Sequence, residues 1–300
     1  MWAATAGEPN RSLMRDDWGA PMEGEWMDAE KVHVPEERKS YLSTIYGKAL
    51  DARAEHPILG DRYAEEAIRR IHFDFEKLAV GGDAAITLPF RAKQFDGWTR
   101  EFLDAHPSST VLHLGCGLDT RVFRIDPSAT VRWYDVDLPD VIELRMQLYP
   151  ARPGYEMIAA SVADLQWLDS IPGDTPVLVV AEGLVQYLPV DDRGALFNRI
   201  TEQFPSGEII FDAYGRATLG VLDLVLRLQR TGLRLYGPIK DGREIEEQVP
   251  RLRLVSAVSF LTLPEMVPLL IHSKAQGWLY RRMERWEWYR RSMQHFRYEF

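Results

Sequence analysis

The sequence is poor in cysteine, in long apolar runs and in positive charge. Its single cysteine, Cys116, cannot form an internal disulfide, and no closely spaced set of cysteines and histidines predicts a metal site. No apolar stretch approaches the roughly 20 residues that a membrane-spanning helix needs. The first residues also lack the pattern of a secretory signal. We therefore expect a cytoplasmic protein with no membrane partner and no metal.

The charge balance argues against a general nucleic-acid-binding protein. The 300 residues include 36 Lys and Arg against 45 Asp and Glu, a formal net charge of −9, whereas such proteins present a basic surface. Arginines near Trp278, Trp286 and Trp288 could stack on bases, but the overall acidity favours a salt-bridged helix there. Because 46% of the residues are hydrophobic, the chain can bury a large core, and we expect one domain with a cap.

The most informative stretch is residues 110–137, TVLHLGCGLDTRVFRIDPSATVRWYDVD. One apolar run ends at Gly115 and Gly117, and a second ends at the acidic Asp137. This order is typical of strand, glycine turn, helix and strand, the opening of a nucleotide-binding α/β fold. Asp137 follows Gly117 by about 20 residues, the spacing of a carboxylate that binds ribose hydroxyls. The pattern G-x-G-x-x-G is incomplete, because Thr120 occupies its last position, so an ordinary strand-to-helix turn stays open at this point.

Five blocks carry a resemblance to a known family. They are LPFRAKQFD (88–96), LHLGCGLDTRVFR (112–124), WYDVDLPDVIELR (133–145), ADL (163–165) and VVAEGLVQYLP (179–189). In this order they resemble the leucine carboxyl methyltransferase family, and especially its bacterial branch of tetracenomycin-type polyketide O-methyltransferases. The likeness extends over about residues 41–214.

The resemblance implies a Rossmann-like class I methyltransferase fold. Its features would be a mostly parallel seven-stranded sheet with helices on both faces, a helical N-terminal cap and an insertion after strand five. We predict an N-terminal extension that could act as a lid (1–40), cap helices (41–104), a core (105–215), a substrate-facing insertion (about 217–250) and C-terminal strands and helices (251–300). Within these parts we expect a helix from the N-cap Asp61 to Leu78, a helix that follows the LPFR segment (88–91), and another helix over residues 264–277.

The resemblance also implies S-adenosyl-L-methionine as cofactor. In the family, the arginine matching Arg91 pairs with the cofactor's carboxylate, and the glutamate matching Glu182 contacts its cationic methionine part. Asp164 and Leu165 match residues that hold adenine. The cofactor-binding residues predicted in this way are Arg91, Gly115, Gly117, Asp137, Leu138, Asp164, Leu165 and Glu182.

The acceptor is predicted to be a small-molecule carboxylate, aromatic or polyketide-like, that becomes a methyl ester. A carboxylic acid is ionised at neutral pH, whereas a phenol with a pKa near ~10 would gain from a general base. The blocks contain only His113, which is typical of a core residue, while His33, His72 and His272 stay open as bases from the cap.

Tyr187, Tyr214 and Arg216 are predicted to hold the acceptor. Arg121 and Arg124 are weaker choices that could instead brace a helix. The other activities that the sequence leaves open are phenolic O-methylation and methylation of a protein C-terminus. A dehydrogenase would need the third glycine, and a non-enzymatic binding module would not need the blocks around Arg91 and Glu182. The sequence does not predict the oligomeric state.

Overall fold

A seven-stranded, mostly parallel sheet runs through the computed structural model, which describes residues 31–34, 39–78, 80–228 and 234–300. Two short strands, β1 (Val32–His33) and β2 (Ile71–His72), form a separate parallel pair. The strands of the large sheet are β3 (Thr110–Leu114), β4 (Arg132–Asp137), β5 (Tyr155–Ala159), β6 (Val177–Ala181), β7 (Gly207–Tyr214), β8 (Arg253–Ser259) and β9 (Met293–Glu299). Their order is β5-β4-β3-β6-β7-β9-β8, parallel from β5 to β7 and antiparallel for β9 and β8. The predicted fold class is confirmed.

The helices flank this sheet and connect its strands. In chain order they are α1 (Lys39–Ala52), α2 (Arg62–Arg70), α3 (Asp83–Ala105), α4 (Arg121–Ile125), α5 (Pro139–Leu148), α6 (Val190–Gln203), α7 (Arg216–Leu228), α8 (Arg243–Gln248), α9 (Val267–Leu270), α10 (Lys274–Met283) and α11 (Glu287–Arg290). None of the described helices combines the length and apolarity that crossing a bilayer requires. Residues Val32–Phe300 form one compact unit. Almost all of the predicted lid lies outside the described residues, and the division into cap, core and insertion stays a prediction.

Two hydrophobic clusters lie on opposite faces of the sheet because side chains alternate along each strand. On β6, Val177 and Val179 belong to a cluster that includes residues of α6 and α8, while Leu178 and Val180 belong to a cluster with residues of α1, α2, α3 and α5. All five residues of β6 are buried. A continuous apolar run is what a central parallel strand covered on both faces requires.

The second cap helix is shorter than predicted. Asp61 is its N-cap, since its Oδ1 accepts a hydrogen bond from the backbone N–H of Ala64 at 3.1 Å. The helix nevertheless ends at Arg70 and does not reach Leu78. Residues Ile71–His72 are extended because their backbone pairs with β1, a long-range contact that helical spacing cannot predict.

The helix that carries Arg91 is longer than predicted. It was expected to follow the LPFR segment, but α3 begins at Asp83 and includes Pro89. A proline inside a helix removes one backbone hydrogen bond and usually bends the helix. Here the buried face of α3, with Phe95 and Phe102, packs on the sheet and outweighs that local cost. Arg91 therefore lies on a helix and not in a loop.

The predicted helix over residues 264–277 is wrong. The structure has two shorter helices there, α9 and α10, with residues 271–273 between them. Ser273 begins α10 as its N-cap, accepting a hydrogen bond at Oγ from the N–H of Gln276 at 3.2 Å. A capping side chain inside an apolar periodic stretch divides the helix in two.

Candidate active site

A cavity of about 460 Å³ lies at the carboxyl ends of the parallel strands. Its lining includes the residue that ends or directly follows each of the strands β3 to β7, namely Gly115, Asp137, Ala160, Glu182 and Tyr214. Open α/β sheets bind their ligands at this edge. The topology therefore brings residues that are distant in sequence into one cavity.

Most of the predicted site residues share this cavity. Those in its lining are Arg91, Gly115, Gly117, Asp137, Leu138, Glu182, Tyr187 and Tyr214. Asp164, Leu165 and Arg216 are not among its lining residues. Asp164 is exposed and caps a short 3-10 helix, accepting from the N–H of Gln166 at 3.3 Å, and Arg216 is exposed at the start of α7.

The glycine turn is held by the carboxylate of Asp137. Its Oδ2 accepts a hydrogen bond from the N–H of Gly117 at 2.7 Å, and its Oδ1 accepts one from Leu138 at 2.7 Å. Burial raises the pKa of Asp137, and these two hydrogen bonds oppose the shift. Gly115 and Gly117 have φ values of +58° and +51°, a region that favours glycine. A Cβ at Gly115 would also lie 2.8 Å from Cδ1 of Leu184.

Glu182 is surrounded by three cations. Its Oε1 lies 3.0 Å from Nε of Arg91 and 3.9 Å from Nζ of Lys48, and its Oε2 accepts a hydrogen bond from Nη2 of Arg121. Burial alone would raise the pKa of this carboxyl, but Lys48, Arg121 and Arg91 together hold it well below its ordinary value. Glu182 is therefore ionised although its side chain is only 4% exposed.

Comparisons with known proteins show the family of this chain. The sequence model of the family described as leucine carboxyl methyltransferase matches residues 42–201. The tetracenomycin polyketide synthesis O-methyltransferase TcmP of Streptomyces glaucescens is 43% identical over 235 residues, which cover 78% of this chain and 87% of that protein. This chain belongs to the leucine carboxyl methyltransferase family. It is an S-adenosyl-L-methionine-dependent O-methyltransferase.

Other relatives support the same assignment. The S-adenosyl-L-methionine-dependent methyltransferase dpfgK of Gibberella zeae is 32% identical to the enzyme over 253 residues, covering 77% of this chain and 85% of the relative. Among solved structures, a candidate methyltransferase from Thermobifida fusca YX aligns with a TM-score of 0.53 at 17% identity, over 84% of this chain and 93% of that one. A DUF574 family protein from Streptomyces avermitilis aligns with a TM-score of 0.54 at 13% identity, over 86% and 96%. The two structures support the fold alone.

The residues of the cavity fit the cofactor of this methyltransferase. S-adenosylmethionine has a cationic sulfonium, an ammonium and a carboxylate at its methionine end. Glu182 can pair with a cation, while Arg91 and Lys48 can pair with a carboxylate. Apart from Gly117 itself and its two chain neighbours, no described residue has a heavy atom within 4 Å of a Cβ built at Gly117, so the cavity is open beside this part of the glycine turn.

Lys48 and Asp119 are site residues that sequence reasoning missed. Nζ of Lys48 lies 2.9 Å from Oδ2 of Asp119, both residues line the cavity, and the lysine side chain is 1% exposed. A sequence signal for Lys48 did exist. The lysine falls three residues after Ile45, on the apolar face of α1, where an unpaired charge is rare.

Arg121 and Arg124 support the site from outside the cavity lining. Nε of Arg121 donates to Asp96 Oδ1 at 2.8 Å, and Nε of Arg124 donates to Asp96 Oδ2 at 2.6 Å. Arg124 also donates to Asp119, which joins this group to Lys48. Neither arginine is among the lining residues of the cavity, so their contacts match the bracing alternative.

Asp212 is a third residue that sequence reasoning missed, and it lies next to Arg91. Its Oδ2 is 3.3 Å from Nη1 of Arg91, and its Oδ1 accepts a hydrogen bond from the N–H of Gly183. Burial raises the pKa of Asp212, while Arg91 acts to lower it. Burial and the charge of Asp212 raise the pKa of Tyr214 to about 12, so this phenol stays protonated at neutral pH and can donate a hydrogen bond.

The histidine in the cavity wall is fully engaged. Nδ1 of His113 lies 2.9 Å from Oδ1 of Asp135, and Nε2 lies 3.2 Å from Nη1 of Arg121. Because arginine can only donate, Nε2 accepts a hydrogen bond, and Nδ1 carries the ring's proton and donates a hydrogen bond to Asp135. Of the other histidines considered, His72 and His272 do not line the cavity, and the side chain of His33 lies outside the described residues.

Proposed function

We propose that the enzyme transfers the methyl group to a carboxylate of a small aromatic or polyketide-like molecule and releases a methyl ester. The observation that supports this acceptor concerns proton transfer. Among the described residues that line the cavity, no histidine or carboxylate is free to act as a general base. His113 uses both ring nitrogens, and the carboxylates of Asp119, Asp137 and Glu182 accept hydrogen bonds from cations or backbone amides.

Without a general base, a carboxylate acceptor and a phenol acceptor differ in the free energy needed to form the nucleophile. A carboxylic acid with a pKa near ~4 is almost completely ionised at pH 7. A phenol with a pKa near ~10 is not, and removing its proton costs about 4 kcal/mol at ~1.36 kcal/mol per pH unit. A site without a base therefore suits the carboxylate. The name of the relative TcmP, which refers to polyketide synthesis, supports a polyketide-like acceptor.

In the proposed site, the protein binds the cofactor in three places. Glu182 pairs with the cationic methionine part, and Arg91 and Lys48 pair with its carboxylate. Asp137 accepts hydrogen bonds from the ribose hydroxyls, beside Gly115, Gly117 and Leu138. Asp164 and Leu165 hold adenine at the end where Ala160 and Val162 line the cavity. The bound cofactor supplies a methyl group that its positively charged sulfur has already activated.

The remaining work of the protein is to position the acceptor. Placing a nucleophile ~3–3.5 Å from the reacting carbon, in line with the breaking bond, can contribute ~7–11 kcal/mol. Tyr187 and Tyr214 lie in the cavity wall, where their hydroxyls can donate to an acceptor carboxylate. Arg216, which is exposed two residues beyond Tyr214, would attract the same anion through its positive charge.

A pair of matched acceptors tests this proposal. The enzyme would be incubated with methyl-labelled S-adenosylmethionine and either 2-naphthoic acid or 2-naphthol, which share one ring system. Mild alkali would then separate esters, which release labelled methanol, from stable aryl ethers. The proposal expects label in the ester fraction and weak or absent transfer to the naphthol. Transfer to the naphthol alone would refute it and favour a phenol methyltransferase.

A further inference from the structure

A second cavity, of about 410 Å³, shares no lining residue with the active-site cavity. It lies between the turn of residues 58–60, the start of α2, one face of α3 and the end of α4. Four of its lining residues are cations, namely Arg62, Lys93, Arg100 and Arg124. Two are carboxylates, Asp96 and Asp126. This second cavity is basic although the whole chain is acidic.

Its two carboxylates are already neutralised by arginines. Asp96 accepts hydrogen bonds from Arg121 at 2.8 Å and from Arg124 at 2.6 Å, and Asp126 accepts one from Arg152 at 2.9 Å. These pairs leave neither carboxylate available to balance a further positive charge.

Three of the cations have no such partner. In the part of the chain that the structure describes, no carboxylate forms an ion pair with Arg62, Lys93 or Arg100. Arg100 donates a hydrogen bond to the backbone carbonyl of Arg124, at 3.2 Å. The backbone amides of residues 58–60 are occupied by the carboxylate of Asp51, so the side chains alone supply the positive charge.

Aromatic rings line the same cavity. The rings of Tyr63 and Phe123 lie 5.6 Å apart between centroids, and the guanidinium carbon of Arg62 lies 5.3 Å from the Tyr63 centroid. A flat apolar group can pack on these rings while a negatively charged group meets the cations.

We infer that the second cavity binds a small organic anion, a phosphate or carboxylate attached to an aromatic ring, and that this anion changes the affinity of the active site for its cofactor. Arg62, Lys93 and Arg100 bind the charged group, and Tyr63 and Phe123 pack on the ring.

A chain of buried ion pairs connects the two cavities. Arg124 forms part of the second cavity and donates to Asp119, whose Oδ2 lies 2.9 Å from Nζ of Lys48. Lys48 in turn lies 3.9 Å from Glu182 in the active site. An anion near Arg124 competes with Asp119 for this arginine, so Asp119 attracts Lys48 more strongly and Glu182 loses part of its compensation. Coupling through such a contact network is reciprocal between the two ligands.

The binding test uses phenyl phosphate, titrated by calorimetry into enzyme saturated with S-adenosylhomocysteine. Benzoate and inorganic phosphate are titrated in parallel to separate the contributions of the ring and of the anionic group. We expect phenyl phosphate to bind one to one and more tightly than inorganic phosphate, with an affinity that falls as salt is added. No binding of any of the three anions, or displacement of phenyl phosphate by S-adenosylhomocysteine from a shared site, overturns the inference.

Two charge-matched variants locate the site. Changing Arg62, Lys93 and Arg100 together to Gln is expected to weaken phenyl phosphate binding by about tenfold or more. Changing the exposed Arg281, Arg282 and Arg285 together to Gln removes the same charge elsewhere and is expected to alter it by no more than about twofold. Equal weakening in both variants would show a net-charge effect and reject the second cavity as the site.

The coupling has its own measurement. The affinity for S-adenosylhomocysteine is determined with and without saturating phenyl phosphate, and we expect a change of about fivefold or more in the wild-type enzyme. The change should disappear in the variant of Arg62, Lys93 and Arg100. An unchanged affinity in the wild type refutes the link between the cavities.

Discussion

Replacing Arg91 by Gln tests the proposed orientation of the cofactor. The guanidinium of Arg91 lies 3.0 Å from Glu182 through Nε and 3.3 Å from Asp212 through Nη1, and it lines the cavity. If it also pairs with the cofactor's carboxylate, its loss affects ligands that have this carboxylate more than ligands that do not. S-adenosylhomocysteine has it, and methylthioadenosine lacks the whole amino-acid end.

The expected difference follows from the type of contact. A hydrogen bond to a charged group contributes about 1.5–3 kcal/mol, which at ~1.4 kcal/mol per factor of ten is about 10- to 150-fold in affinity. The variant also leaves Glu182 and Asp212 with one cation fewer, which changes the cavity for both ligands. The part of this change that acts equally on both ligands cancels when the two losses are compared, whereas a stronger attraction of Glu182 for the ammonium acts on S-adenosylhomocysteine only and opposes its loss. S-adenosylhomocysteine should therefore still lose more affinity than methylthioadenosine, by a factor that reaches at most about 150.

The assay is calorimetric titration of both ligands into the wild type and the variant. Breaking a buried ion pair can destabilise a protein by about 3–5 kcal/mol, so thermal unfolding must first show that the variant is folded at the assay temperature. Arg193→Gln is a matched control, because Arg193 is a buried arginine that does not line the cavity. Equal losses for the two ligands would refute the assignment of Arg91 to the carboxylate.

Three further measurements test other parts of the site. Gly115→Ala should lower the free energy of unfolding more than Gly117→Ala, because both changes add strain of about 1–2 kcal/mol at positive φ but only a Cβ at Gly115 also meets Leu184. Urea unfolding of the two variants measures this difference, and equal effects would contradict the reasoning. Burial acts to raise the pKa of Asp135, but Arg145 and other partners lower it to about 2. Its ionised form therefore stabilises the fold by about 2 kcal/mol above its ordinary pKa near 3.8, and this contribution is lost as pH falls towards 2. The stability difference between wild type and Asp135→Asn should accordingly narrow from pH 5 to pH 3, and a constant difference would contradict the shift. Finally, kcat/KM with a carboxylate acceptor should be nearly constant between about pH 6 and 8, whereas a rise with one ionisation in this range would indicate a general base.

Local patterns in the sequence predicted the elements that are determined by burial. The apolar run before Glu182 indicated a central strand, and β6 is buried along its whole length. The spacing between Gly117 and Asp137 indicated a shared site, and a hydrogen bond of 2.7 Å joins them. These relations depend on residues within one strand–turn–helix–strand segment, so a single sequence contains them.

Long-range contacts determined what the sequence did not reveal. Lys48, on the first helix, reaches Asp119 after the first core strand and Glu182 after the fourth, and no local pattern links these positions. The same limit applies to Asp212, whose role depends on a contact with Arg91 across 121 positions. Helix ends were misplaced for a related reason, because the pairing of Ile71–His72 with β1 is also non-local.

The charges that line the active-site cavity also favour S-adenosylmethionine over a nicotinamide dinucleotide. Among the described residues that line it, the cations Lys48 and Arg91 stand against the three carboxylates of Asp119, Asp137 and Glu182, so the lining itself has one negative charge more than it has positive ones. Arg121 and Arg124 contact Glu182 and Asp119 from outside this lining. The methionine end of S-adenosylmethionine has two positive groups and one negative group, which complements this balance. A nicotinamide dinucleotide instead has two negatively charged phosphates. The excess of carboxylates in the cavity lining would repel them. The carboxylates therefore argue against a dehydrogenase independently of the glycine pattern, since neutralising that diphosphate would require cations that the described lining does not supply.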